Sequence, residues 1–318
     1  PMFSYTRWAS TPETRVGPQT NMFLLSQRIP YPGKTGLRGD MIDEEAAAIE
    51  AQRHATERDV AFEVKRSYYD LYRIDRSIHI LNDYHSVLQR FTRVAEEQYA
   101  TGTGSQSSVL KSQVEASTVL ERRLGFNRAR AGIVARINAV RDRAPDTRVG
   151  TVTKIDLNRY TIPESSIVHQ ALTTRQELQE VDARIRRSDL MLRVAKLAFR
   201  PDFNVQASYI TIPKKSSAVS DAGKDAFGIM VGLNIPIHRH RRHAAVDEAT
   251  ATGLEHEMTR QNIANTIRAE IADAYGRMRN TAQTLDLYDQ GMMAQAESSL
   301  ESSVAAYQTG NLNFLNLL

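Results

Sequence analysis

The stretch "GLNIPIHRHRRHA", Gly232 to Ala244, ends an alternating apolar run with Pro236 and then crowds three histidines and three arginines into His238–His243. A second stretch, "LLSQRIPYPGKTGLR", Leu24 to Arg38, follows the same order: apolar run, Pro30, then Lys34 and Arg38. It holds no histidine, so the shared property is positive charge where a strand gives way to a helix, not imidazole. His238 and His240 on one side of an extended segment would leave a metal site open. Against it, Arg239, Arg241 and Arg242 repel a cation, and no carboxylate follows before Asp247. The two stretches therefore read as basic, interfacial strand-to-helix junctions: Pro30, Lys34 and Arg38 in one, Pro236, Arg239, Arg241 and Arg242 in the other, with no metal.

Beyond each junction the chain loses its helix breakers. Asp40 to Ala100 is 61 residues without proline or glycine. A continuous helix there would be roughly 90 Å long, too long for a globular core. Val60, Val64, Ser67, Leu71, Ile74, Ile78, Leu81, His85, Leu88, Thr92 and Ala95 follow alternating steps of four and three. That 3.5-residue period keeps one seam against a partner helix, as in a coiled coil, with His85 and Thr92 as polar, register-setting interruptions. "TGTGSQS" (101–107) allows a turn, and helical pattern resumes from Ser105 to Ala144, so a long antiparallel hairpin is expected. One further helix is expected from Pro163 to Phe199, stopped by "RPD".

Before each junction lies a pair of short alternating segments. "DFNVQASYIT" and "FGIMVGLNIPI" put apolar residues on one face and small or polar ones on the other; "MFSYTRW" and "NMFLLSQRIP" do the same at the start of the chain. Hairpin, proline exit, long helix and tip thus occur twice. Pro30 and Pro236 are 206 residues apart, Tyr68 and Tyr275 207, and the "YATG" and "YQTG" tips, Tyr99 and Tyr307, 208. The seam is repeated with them: Val60/Ile267, Val64/Ile271, Leu71/Met278 and Ile78/Leu285. A one-residue drift per segment is what duplication with small insertions leaves.

Composition narrows the function. Lys and Arg number 41 against 37 Asp and Glu, interspersed, so charge gives no reason to invoke nucleic acid. There is no cysteine, hence no disulfide or thiolate chemistry, which suits an oxidising compartment such as a periplasm. No apolar run reaches the ~20 residues of a membrane-spanning helix, a test that says nothing of β-barrel strands. No phosphate-binding glycine loop, HExxH or Ser/His/Asp spacing is present, so no enzyme or cofactor is expected. Glu44, Glu45, Asp70, Asp75, Glu96 and Glu97 read as solvated helix faces.

The duplicated strand pair, proline exit, "SYYDLY" and Y-x-T-G tip resemble the TolC-type outer-membrane efflux family over nearly the whole chain. The resemblance implies a mainly α fold with a transmembrane β-barrel contribution. Long antiparallel coiled-coil hairpins are in tandem repeat, and two β-hairpins per chain complete a trimeric 12-stranded barrel above an α-helical periplasmic tunnel. The expected layout is a barrel hairpin at 1–30, a helical hairpin at 31–147 with its tip near 99–111, and an equatorial connector at 148–162. A helix at 163–200, a second barrel hairpin at 201–237 and a long helix at 238–318 follow. Phe3, Tyr5, Trp8 and Tyr209 are candidate interfacial aromatics. The chain is expected to be a piece of a longer protein, lacking the helix before the first strand and the return helix after Leu318.

The same resemblance implies an outer-membrane exit duct of a tripartite efflux system, with a large periplasmic part. Its partners are two further copies of the chain, outer-membrane lipid, a periplasmic adaptor and an inner-membrane pump that supplies the energy. The tip and adaptor-contact residues that carry over are Tyr99, Gly102, Ser108 and Lys111, and Tyr307, Gly310, Leu312, Phe314, Leu315 and Asn316. The family often places acidic residues six and nine positions after the tip glycine; here those positions are Ser108, Lys111 and Asn316. A gate of apolar and amide side chains, Leu312, Phe314, Leu315 and Asn316, is expected instead. The competing reading is a poreless periplasmic adaptor or coiled-coil scaffold, which would have one helical hairpin rather than two. If the junction reading holds, purified protein will carry no stoichiometric zinc or copper by elemental analysis.

Overall fold

The computed structural model of the chain describes residues 1–150, 155, 161–214 and 220–309. Its elements are strands β1 (Met2–Arg7), β2 (Glu13–Thr14), β3 (Gly17–Pro18) and β4 (Asn21–Ile29), then helices α1 (Lys34–Ala100), α2 (Gln106–Val140), α3 (Glu164–Thr174) and α4 (Gln176–Leu197). Strands β5 (Phe203–Thr211) and β6 (Ala226–Leu233) follow, then α5 (Arg239–Leu287), a π-turn (Tyr288–Met292) and α6 (Met293–Gln308). The chain is mainly helical with one substantial sheet. It forms two compact units, Pro1–Arg53 with Leu172–Thr266, and His54–Ala171 with Ile267–Leu318.

The first unit holds a four-stranded antiparallel sheet in the order β1-β4-β5-β6. The two sequence hairpins pair internally and join through β4 and β5, with Asn21 opposite Thr211 and Ile29 opposite Phe203. A short β2–β3 ribbon forms in the first hairpin loop. Gly17 sits there at φ +140°, and a Cβ on it would come 2.5 Å from the Pro213 carbonyl oxygen, so glycine is what lets the two hairpin loops meet. The helices of this unit pack through small residues: Ala48, Ala51, Ala183 and Ala249 are buried with Leu178 and Val181. Arg186 to Glu44 and Arg187 to Glu45 bridge α4 and α1, both at 2.9 Å, and Arg260 reaches Asp182 from α5.

In the second unit the α1–α2 hairpin forms as its sequence requires. Cross-helix partners climb antiparallel towards the tip: Glu63 with Arg136, Asp75 with Arg130, Asn82 with Arg123 and Glu96 with Gln113. Leu71 and Ile74 of the seam pack with Ile133, Val134 and Ile137 of α2, with Ile78, Phe126 and Val149 at the margin. Ser67, Leu88 and Ala95 are also buried, whereas Val60 is 46% exposed, so the seam begins one step later than its periodicity suggests. His85 is half-buried, with no hydrogen-bond partner for Nδ1 among the described residues. The hairpin exit is held by Asn138, fully buried, whose amide donates to the carbonyls of Pro145 (3.2 Å) and Thr147 (2.7 Å).

Two helices depart from expectation. The 163–199 helix is two, α3 and α4, broken where Arg175 turns extended at ψ 127°. It follows two threonines, whose β-branched side chains weaken the helix locally. The final helix widens into the π-turn around Gly291 before continuing as α6. Leu71→Ala is expected to cost about 2–5 kcal/mol, against well under half of that for Val60→Ala, read as a lowered urea midpoint of the helical signal.

Candidate functional site

The pairing register sorts the sheet into two chemically different faces. On one, side chains stand in rows across all strands: Ile29, Phe203 and Leu233, then Gln27, Val205 and Val231, then Phe3, Leu25, Ala207 and Ile229. The next row is wholly aromatic: Tyr5, Phe23, Tyr209 and Phe227. Adjacent rings lie 5.2 Å (Tyr5–Phe23) and 6.3 Å (Phe23–Tyr209) apart. Beyond it the face turns polar. Tyr5 donates its hydroxyl to Asn21 Oδ1 at 2.8 Å, and Tyr209 donates to the Asp225 carboxylate. The opposite face is mixed: Ser4, Thr6, Ser26, Asn204, Gln206, Ser208, Gly228 and Gly232 are interspersed with Met2, Met22, Leu24, Ile210 and Met230.

Among the described residues, the apolar face is exposed most at its β6 edge. Phe227, Ile229 and Val231 are 68–70% exposed. A row of aromatic side chains whose polar ends point away from an apolar band is how a strand surface meets a lipid–water boundary. Among the described residues strands β1 and β6 have no partner on their outer edges, and open edges of this kind call for a further strand.

At the other end of the sheet, the chain's crossings to the helices meet on one carboxylate. Asp202 is buried between α4 and β5, and its Oδ1 accepts from Lys34 Nζ (2.6 Å) and the Tyr31 N–H (3.0 Å). Its Oδ2 accepts from Arg28 at 2.7 Å. Lys34 also donates to the Arg200 carbonyl at 3.1 Å. The Asp202 N–H donates to Asn234 Oδ1 (2.5 Å), and the Asn234 N–H returns to the Asp202 carbonyl (3.1 Å). Arg28 and Lys34 lie at the exit of β4, Arg200 at the exit of α4, and Asn234 at the exit of β6. The Lys34 ammonium above all, then the Tyr31 N–H and Arg28, hold the carboxyl well below the usual carboxylate range, against the opposing pull of desolvation.

The tip is a Schellman motif. Gly102, at φ +74°, donates to the Tyr99 carbonyl (3.1 Å), and Thr103 to that of Gln98 (2.9 Å). A Cβ on Gly104 would come 2.8 Å from Gln98 Cβ, and Ser105 caps α2 by accepting from the Ser108 N–H. The second copy stops its helix at the same place: α6 ends at Gln308, as α1 ends at Ala100.

The chain's second half, residues 167–318, matches the outer membrane efflux protein family. That match covers 152 of the chain's 318 residues. In fold it is similar to the outer membrane protein VceC from Vibrio cholerae (TM-score 0.82, 20% identity), covering 99% of this chain and 77% of that one. It is likewise similar to CusC (0.80, 16%, 99% and 74%) and to the CmeC outer membrane channel of Campylobacter jejuni (0.78, 15%, 99% and 70%). No curated protein matches the chain in sequence.

The sequence-derived residues fall into three groups. At the first junction Pro30 precedes the cluster, Lys34 is a buried ion-pair partner of Asp202, and Arg38 is exposed. Pro236, Arg239, Arg241 and Arg242 form the second junction. There Arg239 and Arg241 are exposed, while Arg242 donates to the carbonyls of Ala198 (2.8 Å) and His238 (2.9 Å). At the tips, Tyr99 and Lys111 are exposed, Ser108 is buried in the turn, and Tyr307 is buried, which pushes its hydroxyl up. Gly310, Leu312, Phe314, Leu315 and Asn316 lie outside the described residues, as does most of 148–162. Among the described residues no three His, Asp or Glu side chains converge as metal ligands. Asp202, Asn234, Phe23 and Phe227 were missed. Phe23 and Phe227 had only their alternation as a signal, and Asp202 only its place in "RPD".

Asp202→Asn is expected to cost about 1.5–3 kcal/mol, through loss of its charge-assisted bonds to Lys34 and Arg28. Because the folded carboxyl titrates below its unfolded value near ~3.9, its contribution is present above about pH 5 and fades as pH falls. Unfolding midpoints of wild type and Asp202→Asn should therefore converge as the pH is lowered from 7 towards 3.

Proposed function

We propose that this chain is an outer membrane efflux protein and forms, as three copies, the outer-membrane exit duct of a tripartite efflux system. The observation that carries the reading is the sheet: one apolar face ending in a row of aromatics, a second face that holds the sheet's serines and glycines, and both edges open among the described residues. In the order β1-β4-β5-β6 with antiparallel neighbours, β1 and β6 run in opposite directions. The β6 edge of one copy can thus pair antiparallel with the β1 edge of the next, and the ring closes without a free edge. The second face then lines the lumen and the apolar face meets lipid.

The remaining parts take roles in that duct. Residues 1–30 and 201–237 supply the barrel, and the helices at 31–147, 163–200 and 238–318 build the periplasmic tunnel, belted by 148–162. The tips at Tyr99–Lys111 and Tyr307–Leu318 are the adaptor contacts, with Leu312, Phe314, Leu315 and Asn316 closing the tunnel end. Movement through the duct is passive diffusion of small molecules; an inner-membrane pump supplies the energy. An adaptor is not favoured, since the fold carries two tandem strand pairs feeding two long helical segments.

Native mass spectrometry of full-length protein in mild detergent should give a three-chain species that leaves solution when detergent is removed; a detergent-independent monomer would overturn the duct. In planar bilayers, Phe314→Ala with Asn316→Ala should raise resting conductance several-fold if these side chains close the tip.

A further inference from the structure

We propose that the segment Ile235–Arg241 binds the phosphate of anionic phospholipids in the leaflet on the helical side of the membrane, an inference that rests on the outer-membrane reading above. The two strand-to-helix junctions are equivalent by repeat but not in charge. At the first, Arg28 and Lys34 are both paired with Asp202. At the second, Arg239 and Arg241 are exposed, flanked by exposed His238 and His240, and have no acidic partner among the described residues. Together with Ile237 these four line one shallow, open depression.

Its position matches a headgroup. The apolar column of the edge strand, Phe227 to Leu233, rises about 20 Å. Beyond it Ile235 and Ile237, 71% and 72% exposed, carry the apolar surface on towards the ~25 Å band of a bacterial barrel. The aromatic row marks one boundary of that band, and the basic segment stands at the other. Apolar side chains that enter the acyl region directly below exposed guanidinium groups fit a phospholipid, tails on isoleucine and phosphate on arginine.

The test uses full-length protein in mild detergent, titrated with phosphatidylglycerol or phosphatidylcholine and read by native mass spectrometry. Wild type should retain phosphatidylglycerol in preference to phosphatidylcholine, and the preference should weaken with added salt. At about fivefold per arginine near an anionic surface, Arg239→Gln with Arg241→Gln should lower phosphatidylglycerol affinity roughly thirtyfold, while Arg239→Lys with Arg241→Lys should largely keep it. Adding inorganic phosphate separates the sources, since a lipid site keeps phosphatidylglycerol at phosphate concentrations that empty a free-anion site. Equal retention of both lipids, an unchanged double Gln variant, or displacement by inorganic phosphate would overturn the proposal. So would a Gln variant whose trimer dissociates while lipid retention per chain is unchanged, the sign of a contact between copies. A wild-type protein that is a detergent-independent monomer would instead defeat the duct reading itself.

Discussion

A single carboxylate, Asp202, holds the place where the sheet becomes helix. Three groups from the β4 exit reach it, namely Arg28, the Tyr31 N–H and Lys34, and its own backbone is paired with Asn234 at the β6 exit. A buried charge is tolerated only when its partners satisfy it, and here each carboxylate oxygen has a cationic donor. The gain lies in geometry as much as in energy. With these exits tied to one point, the strands are held in one register, and helices α1 and α4 leave the sheet from fixed positions.

From that anchor the two kinds of periodicity in the chain build two kinds of surface. Period two in the strands places Phe3, Leu25, Val205 and Ile229 on one exposed face and Ser4, Ser26, Gln206 and Gly228 on the other. A period of 3.5 in α1 places Leu71, Ile74 and Leu88 against α2 and leaves charged residues to pair across the hairpin at its margins. Neither half could serve the other's purpose, since an α1-like seam exposed to lipid would carry charge and the sheet's apolar face in water would aggregate.

The duplication explains both the economy of the fold and its asymmetry. The two copies end their helices at equivalent positions, Ala100 and Gln308, and in the first Gly102 of the Y-x-T-G sequence takes the left-handed turn. They differ at the junctions. The first copy's cations are drawn inward by Asp202, whereas in the second Arg242 is turned to backbone carbonyls and Arg239 and Arg241 are left outside. The common ancestry is visible in position, and the divergence in what each charge faces.

What the sequence determined by itself is whatever depends on near neighbours. The four main strands, the α1 seam, the tip turn and the repeat are written in spacings of two, three, four and about 207 residues. The tertiary structure decided what depends on residues brought together from afar. Arg28 and Lys34 lie 174 and 168 residues from the carboxylate they pair with. The aromatic row exists only because the register sets Tyr5, Phe23, Tyr209 and Phe227 side by side. The break at Arg175 and the π-turn at Tyr288 were likewise unreadable, since a few weak helix formers permit such a departure without requiring it. Periodicity reports which face of an element is buried or apolar; register and partner choice are settled only when the elements pack, and the charge cluster and the aromatic row are products of that packing.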